Sequence, residues 1–168
     1  MKSLTNFKGI TNKVIISGAT GFIGQHLVPF FLKKNFEVLV LVRDKQKAKK
    51  FNWFQEVRVI TFRMEQKKFE FSVDNGTGLI HLAWHGLPNY KSNFHLEENL
   101  PFSYRFINSL IKKGINQVLV AGTCFEYGLK NGAIKSNLKT SPINQYGLAK
   151  DTLHKQLRNL SDKTNYIL

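Results

Sequence analysis

Cysteine is almost missing from this chain: Cys124 is the only one, so no internal disulfide can form, and a reducing, cytoplasmic setting is the natural expectation. Acidic residues are also scarce, 11 against 25 Lys and Arg over 168 residues, which leaves a formal net charge of +14. No apolar run approaches the roughly 18 residues that a membrane span requires. Met1 to Asn12 carries lysines but lacks the apolar core of an export signal. Low-complexity linkers and internal repeats are absent too, and 42% hydrophobic residues exclude intrinsic disorder. The length therefore suits one folded domain over residues 1–168.

So basic a chain invites the question of nucleic acid, but the charge is not laid out for it. The densest run, Arg43 to Lys50, reads as one exposed helix, and the other lysines are scattered between apolar segments. This pattern predicts a solvated surface that attracts anionic ligands such as nucleotide phosphates, with no nucleic-acid motif beside it.

What is present is an alternation of short apolar runs with helix-length segments. Strands are predicted at Val14–Ser17, Glu37–Val42, Val57–Phe62, Gly78–Ala83 and Gln117–Ala121. Helices are predicted at Phe22–Lys34, Lys45–Phe54, Phe94–Lys113 and Gln145–Leu160, with Asn35 and Gly114 at helix ends that want a left-handed residue. The β-α-β-α-β-β-α-β-α order predicts an α/β fold, a doubly wound parallel sheet with crossover helices. Pro29, inside the first helix pattern, predicts a kink.

Two motifs carry chemistry. Gly18-Ala-Thr20-Gly21-Phe22-Ile23-Gly24 follows the first strand and opens the first helix. There glycine permits a tight turn and close backbone approach, and the helix N-terminus offers unpaired N–H groups to a pyrophosphate. Tyr146-Gly-Leu-Ala-Lys150 places a phenol and an ammonium on one helix face. A free phenol titrates near 10, and a neighbouring ammonium is what would stabilise its phenolate for proton transfer. His81 and His85 lack partners at metal-ligand spacing and read as structural, so no metal is expected. Cys124 reads as a packing residue.

The G-x-x-G-x-x-G spacing, together with Tyr-x-x-x-Lys, resembles the extended branch of the short-chain dehydrogenase/reductase superfamily, the NAD(P)-dependent epimerases and dehydratases. The resemblance implies a Rossmann-type sheet. Gly122-Thr123-Cys-Phe-Glu-Tyr127-Gly128 looks like that family's Ser/Thr-x-x-x-Tyr-Gly segment, which makes Thr123, Tyr146 and Lys150 a catalytic triad. Asn99 matches the helix asparagine that supports the proton relay. Ile80-His-Leu82-Ala83 is similar to the family's fourth-strand segment against the cofactor, beside Gly18, Thr20, Gly21, Phe22, Ile23 and Gly24, and the resemblance implies that Tyr146 and Lys150 contact the cofactor as well. Arg43, at the end of the second strand, implies NADP, with NAD the alternative because Asp44 follows. Where an aspartate commonly meets adenine, the third strand reads Thr61-Phe-Arg-Met-Glu65.

The resemblance implies hydride transfer at a carbon of a nucleotide sugar, by an epimerase or a ketoreductase. Cys124-Phe125 stands where dehydratases carry Asp-Glu, which speaks against dehydration. The family continues past the Tyr-x-x-x-Lys helix, whereas Asn165-Tyr-Ile-Leu168 falls just inside a sixth strand. The expectation is a cofactor-binding part without its C-terminal substrate-binding subdomain, poor in turnover alone and prone to pair its open sheet edge as a dimer. A non-catalytic NAD(P)-binding or regulatory module stays open as the alternative.

Overall fold

The computed structural model describes residues 11–66, 71–135, 137–164 and 166–168. Most of the N-terminal segment read above, residues 1–10, lies outside them. Five parallel strands form one sheet, β1 (Lys13–Ser17), β2 (Glu37–Val42), β3 (Arg58–Thr61), β4 (Gly78–His81) and β5 (Gln117–Val120), in the order β3-β2-β1-β4-β5. The chain winds outward from β1 to β3, then returns to the other side of β1 for β4 and β5. The order reverses between β1 and β4, and the crevice at the carboxyl ends of these strands is where such sheets place ligands.

Residues alternate between the two faces. Ile15 of β1 and Leu79 of β4 join one core with helices α3 (Leu100–Lys112) and α4 (Gln145–Ser161). Val14, Ile16, Val38 and Val40 join the other, with Val28 of helix α1 (Gly24–Lys33) and Trp53. This period of two is what buries a parallel sheet on both faces.

Elements fall where the pattern puts them, with local differences. Asn35 (φ 59°) and Gly114 (φ 105°) take the left-handed conformation expected of them. Helix α1 runs through Pro29 from Gly24 to Lys33 as a single element. The helix predicted at Lys45–Phe54 is instead one short helix, α2 (Lys45–Ala48), followed by a 3-10 turn at Asn52–Glu56. Its lysines leave only Ala48 buried in α2, too little apolar face to hold a longer helix. Trp53 then buries from the 3-10 turn, stacked on Phe51 at 5.0 Å. Ahead of α3, residues His95–Asn99 form a π-helical turn. β4 stops two residues short of its predicted end, because after His81 the chain turns toward Gly18. Ile167 forms an isolated parallel bridge with Gln117 on the free edge of β5, where the sixth strand is expected. Among the described residues no helix is long and apolar enough to cross a membrane.

Candidate functional site

Four segments leave the carboxyl ends of neighbouring strands together, and the predicted site residues sit on them. After β1 comes the glycine loop. Gly18 has φ 76°, and a Cβ there would lie 2.8 Å from the backbone N of Ala83. A Cβ on Gly24 would lie 2.4 Å from the carbonyl O of Gly18. These two glycines let the chain pack on itself. Gly21 differs: it is exposed, and its Cβ would meet only Gly18 O, at 3.2 Å. It is followed by exposed Phe22 and Ile23 and by a helix N-terminus that no side chain caps. The N–H groups of Gln25 and His26 already bond Gly21 O at 3.0 Å and Ile23 O at 3.1 Å, so what this end offers a pyrophosphate is the open backbone at Gly21 and the positive end of the helix dipole. Thr20 is half-buried in the same loop.

After β4, Leu82 donates its N–H to Ser17 O at 3.1 Å, and Ala83 abuts Gly18. His81 is structural, as expected. Fully buried, it bonds the Ser17 hydroxyl at 2.8 Å and the Ser103 hydroxyl at 3.3 Å, and burial pushes its pKa down to about 3. After β2, Arg43 is exposed. Asp44 turns its Oδ1 into α2, accepting the N–H groups of Gln46 at 2.8 Å and Lys47 at 3.1 Å.

After β5, Thr123 opens a 3-10 turn, Cys124–Tyr127. Its hydroxyl accepts from Phe125 N at 3.3 Å, and buried Glu126 accepts Thr123 N–H at 2.7 Å. Tyr146 and Lys150 come from the first two turns of α4, both buried. The Thr123 side chain stands close enough to the Tyr146 hydroxyl to pull its pKa down. Lys150 donates to Ala121 O at 2.8 Å, and its Nζ lies 4.1 Å from the centre of the Trp84 ring and 5.9 Å from that of Tyr146.

The electrostatics depart from expectation. Burial raises the Tyr146 phenol above its ordinary value, and it is the Thr123 side chain that pulls it down, while Glu126 pushes it up. Lys150 is itself brought down to about 8 by burial, partly offset by Glu126. Desolvation outweighs the expected ammonium effect, so Tyr146 is a phenol at neutral pH.

Asn99 is buried in the π-helical turn, and its Nδ2 donates to His85 O at 3.0 Å. Its Oδ1 has no hydrogen-bond partner. Cys124 is exposed rather than packed: facing outward on the turn, it contributes nothing to the core.

Three participants escaped the sequence reading. Glu126 was legible, since Thr-x-x-Glu is the spacing of a capping box. Trp84 and His95 carry no local signal, for their roles lie in contacts across the site.

A family model for the NAD dependent epimerase/dehydratase family matches residues 14–167. The chain belongs to this family. Among similar proteins of the epimerase/dehydratase family is the dTDP-6-deoxy-L-talose 4-dehydrogenase (NAD(+)) of Aggregatibacter actinomycetemcomitans, 33% identical over 152 residues, covering 90% of this chain and 56% of that protein. Among solved structures, a UDP-galactose 4-epimerase shares the fold with a TM-score of 0.75 at 19% identity, covering 89% of this chain and 52% of that one. The UDP-glucuronic acid 4-epimerase of Bacillus cereus, in complex with NAD, superposes with a TM-score of 0.70 at 19% identity, covering 92% and 53%. The chain spans about half the length of the relatives it matches.

Within this epimerase/dehydratase chain, Gly147 makes the Tyr146 contact possible. A Cβ there would lie 2.5 Å from the carbonyl O of Phe125, the residue two after Thr123. Gly147→Ala is expected to lose about 1–2 kcal/mol of stability in urea unfolding as α4 is pushed off the turn, whereas Leu148→Ala, at an exposed neighbour, stays close to wild type.

Proposed function

We propose that this chain is the cofactor-binding part of an enzyme transferring hydride reversibly at a carbon of a nucleotide sugar, as a ketoreductase or a 4-epimerase. The observation that carries it is the convergence of Thr123, Tyr146 and Lys150 beyond β5, next to Ala83 and the open glycine loop. When bound, the nicotinamide ring supplies the hydride acceptor or donor. Tyr146, held protonated by burial, gives its phenol proton to a substrate carbonyl oxygen during reduction and takes it back during oxidation. Thr123 shares a hydrogen bond with the same oxygen. Lys150 spends one N–H on Ala121 O and keeps the others for the nicotinamide ribose. Asn99, with its Oδ1 unpartnered, supports proton relay behind Lys150.

For the nucleotide, we infer a preference for NADP. Asp44 is occupied in capping α2, which leaves exposed Arg43 and the lysines beside it to meet a 2′-phosphate. The 6-deoxy-L-talose dehydrogenase is named for NAD(+), so the preference is worth measuring. Calorimetric titration with NADPH and NADH side by side is expected to show tighter NADPH binding. Arg43→Ala is expected to weaken NADPH about tenfold, a loss of one charge-assisted contact, and to leave NADH unchanged. Equal losses for both would assign Arg43 no part in the choice. Binding of neither would refute the dinucleotide site.

A further inference from the structure

Lys150 is held by more than its own helix. Its ammonium faces the Trp84 indole at 4.1 Å, a cation–π contact. The indole is fixed in turn from its far edge. Trp84 Nε1 lies 3.1 Å from Nδ1 of His95. An indole N–H can only donate, so Nδ1 accepts and the ring proton sits on Nε2, which donates to Asn89 O at 2.9 Å. Asn99 Nδ2 makes a second donor to the same Nδ1, at 3.2 Å. His95 is fully buried, and its ring packs 5.3 Å from that of Tyr146. Trp84 packs 5.9 Å from Tyr146.

We propose that Trp84 and His95 are positioning residues: His95 Nδ1 fixes the indole, and the indole face holds the Lys150 ammonium beside Tyr146 and against Ala121 O. The geometry requires a neutral His95, because a protonated ring has no acceptor to offer two donors. Burial, which lowers the His95 pKa, supplies that condition. Trp84 follows Ala83 directly, so the clamp also couples the lysine to the strand end that packs on the glycine loop. The functional consequence rests on the proposed use of Lys150 toward the cofactor. The contact itself does not.

The test is NMR of the chain with 13C-labelled lysine and 15N-labelled tryptophan, Lys150 being assigned through Lys150→Arg. In the wild type the Lys150 ε-protons are expected upfield of the other lysines, shielded by the indole ring. Trp84→Leu should abolish that shift and lower the Lys150 titration midpoint by about one pH unit, the cation–π contribution. His95→Phe keeps a ring but removes the acceptor, and should move the Trp84 indole N–H and the Lys150 signals together. His95→Asn, which puts an acceptor near the place of Nδ1, should restore both. Unshifted Lys150 protons in the wild type would overturn the proposal without any variant. So would a folded Trp84→Leu chain with Lys150 signals and midpoint unchanged. Calorimetry with NADPH and NADH on the same variants separates the two layers. Loss of the lysine signature with unchanged affinity would support the clamp and refute the cofactor role given to Lys150.

Discussion

Tyr146→Phe is expected to cut hydride transfer by about 10²–10⁴-fold while changing cofactor affinity far less, because it removes the proton donor and keeps the ring beside the dinucleotide. The hydroxyl is the only atom lost. Phenylalanine keeps the ring contacts with Trp84, Tyr90 and Phe125, so the fold around it stands. Following nicotinamide absorbance in a single turnover, in the chain and in a fusion to the C-terminal part of the similar 6-deoxy-L-talose dehydrogenase, measures the step itself. Thr123→Val is expected to act in the same direction and less strongly, since it removes a hydrogen bond but no transferable proton. A Tyr146→Phe protein with wild-type hydride transfer would end the proposed mechanism and favour a binding module without chemistry.

The sheet was legible because its signals are local. Short Val/Ile/Leu runs, glycines at turns and a left-handed Asn35 each declare themselves within a few residues, and the structure places them accordingly. Likewise the i, i+4 spacing of Tyr146 and Lys150 needs only a helix to put both on one face. What could not be read is what depends on distant packing. The sense of the Tyr146 shift follows from how much water α4 and the 3-10 turn exclude, and no local pattern reports that. Trp84 and His95 are eleven positions apart and meet only because the intervening loop folds back on the π-helical turn. The short α2 shows the same limit from the other side. A charge run looked like a full helix, and the want of an apolar face cut it to four residues.

Lys150 gives the prediction with the clearest sign. Its pKa in the folded chain is about 8 against an ordinary 10.5. The fold therefore disfavours the charged lysine, a gap of about 2.5 pH units, which at 1.36 kcal/mol per unit corresponds to about 3 kcal/mol. Below pH 8 both the folded and the unfolded lysine are charged, and this cost is present in full. Between 8 and 10.5 the unfolded chain binds more protons than the folded one, so stability from this group rises with pH. Lys150→Met removes the buried charge and keeps most of the volume. It also forfeits the hydrogen bond to Ala121 O, worth about 1 kcal/mol. At neutral pH the variant is thus expected to be more stable than wild type by about 2 kcal/mol. That advantage should shrink from pH 8 upward and cross zero near pH 10, and by 10.5 the wild type, holding an uncharged lysine and an intact hydrogen bond, should be the more stable. Urea unfolding of both proteins across this range checks it, since the other titrating groups are common to the pair and cancel in the difference. A variant less stable than wild type at neutral pH would show that the Trp84 face and the Ala121 carbonyl already compensate the buried ammonium. A lysine kept beside a phenol at a cost in stability is what the proposed proton transfer calls for, and the size of that cost is what the pH series measures.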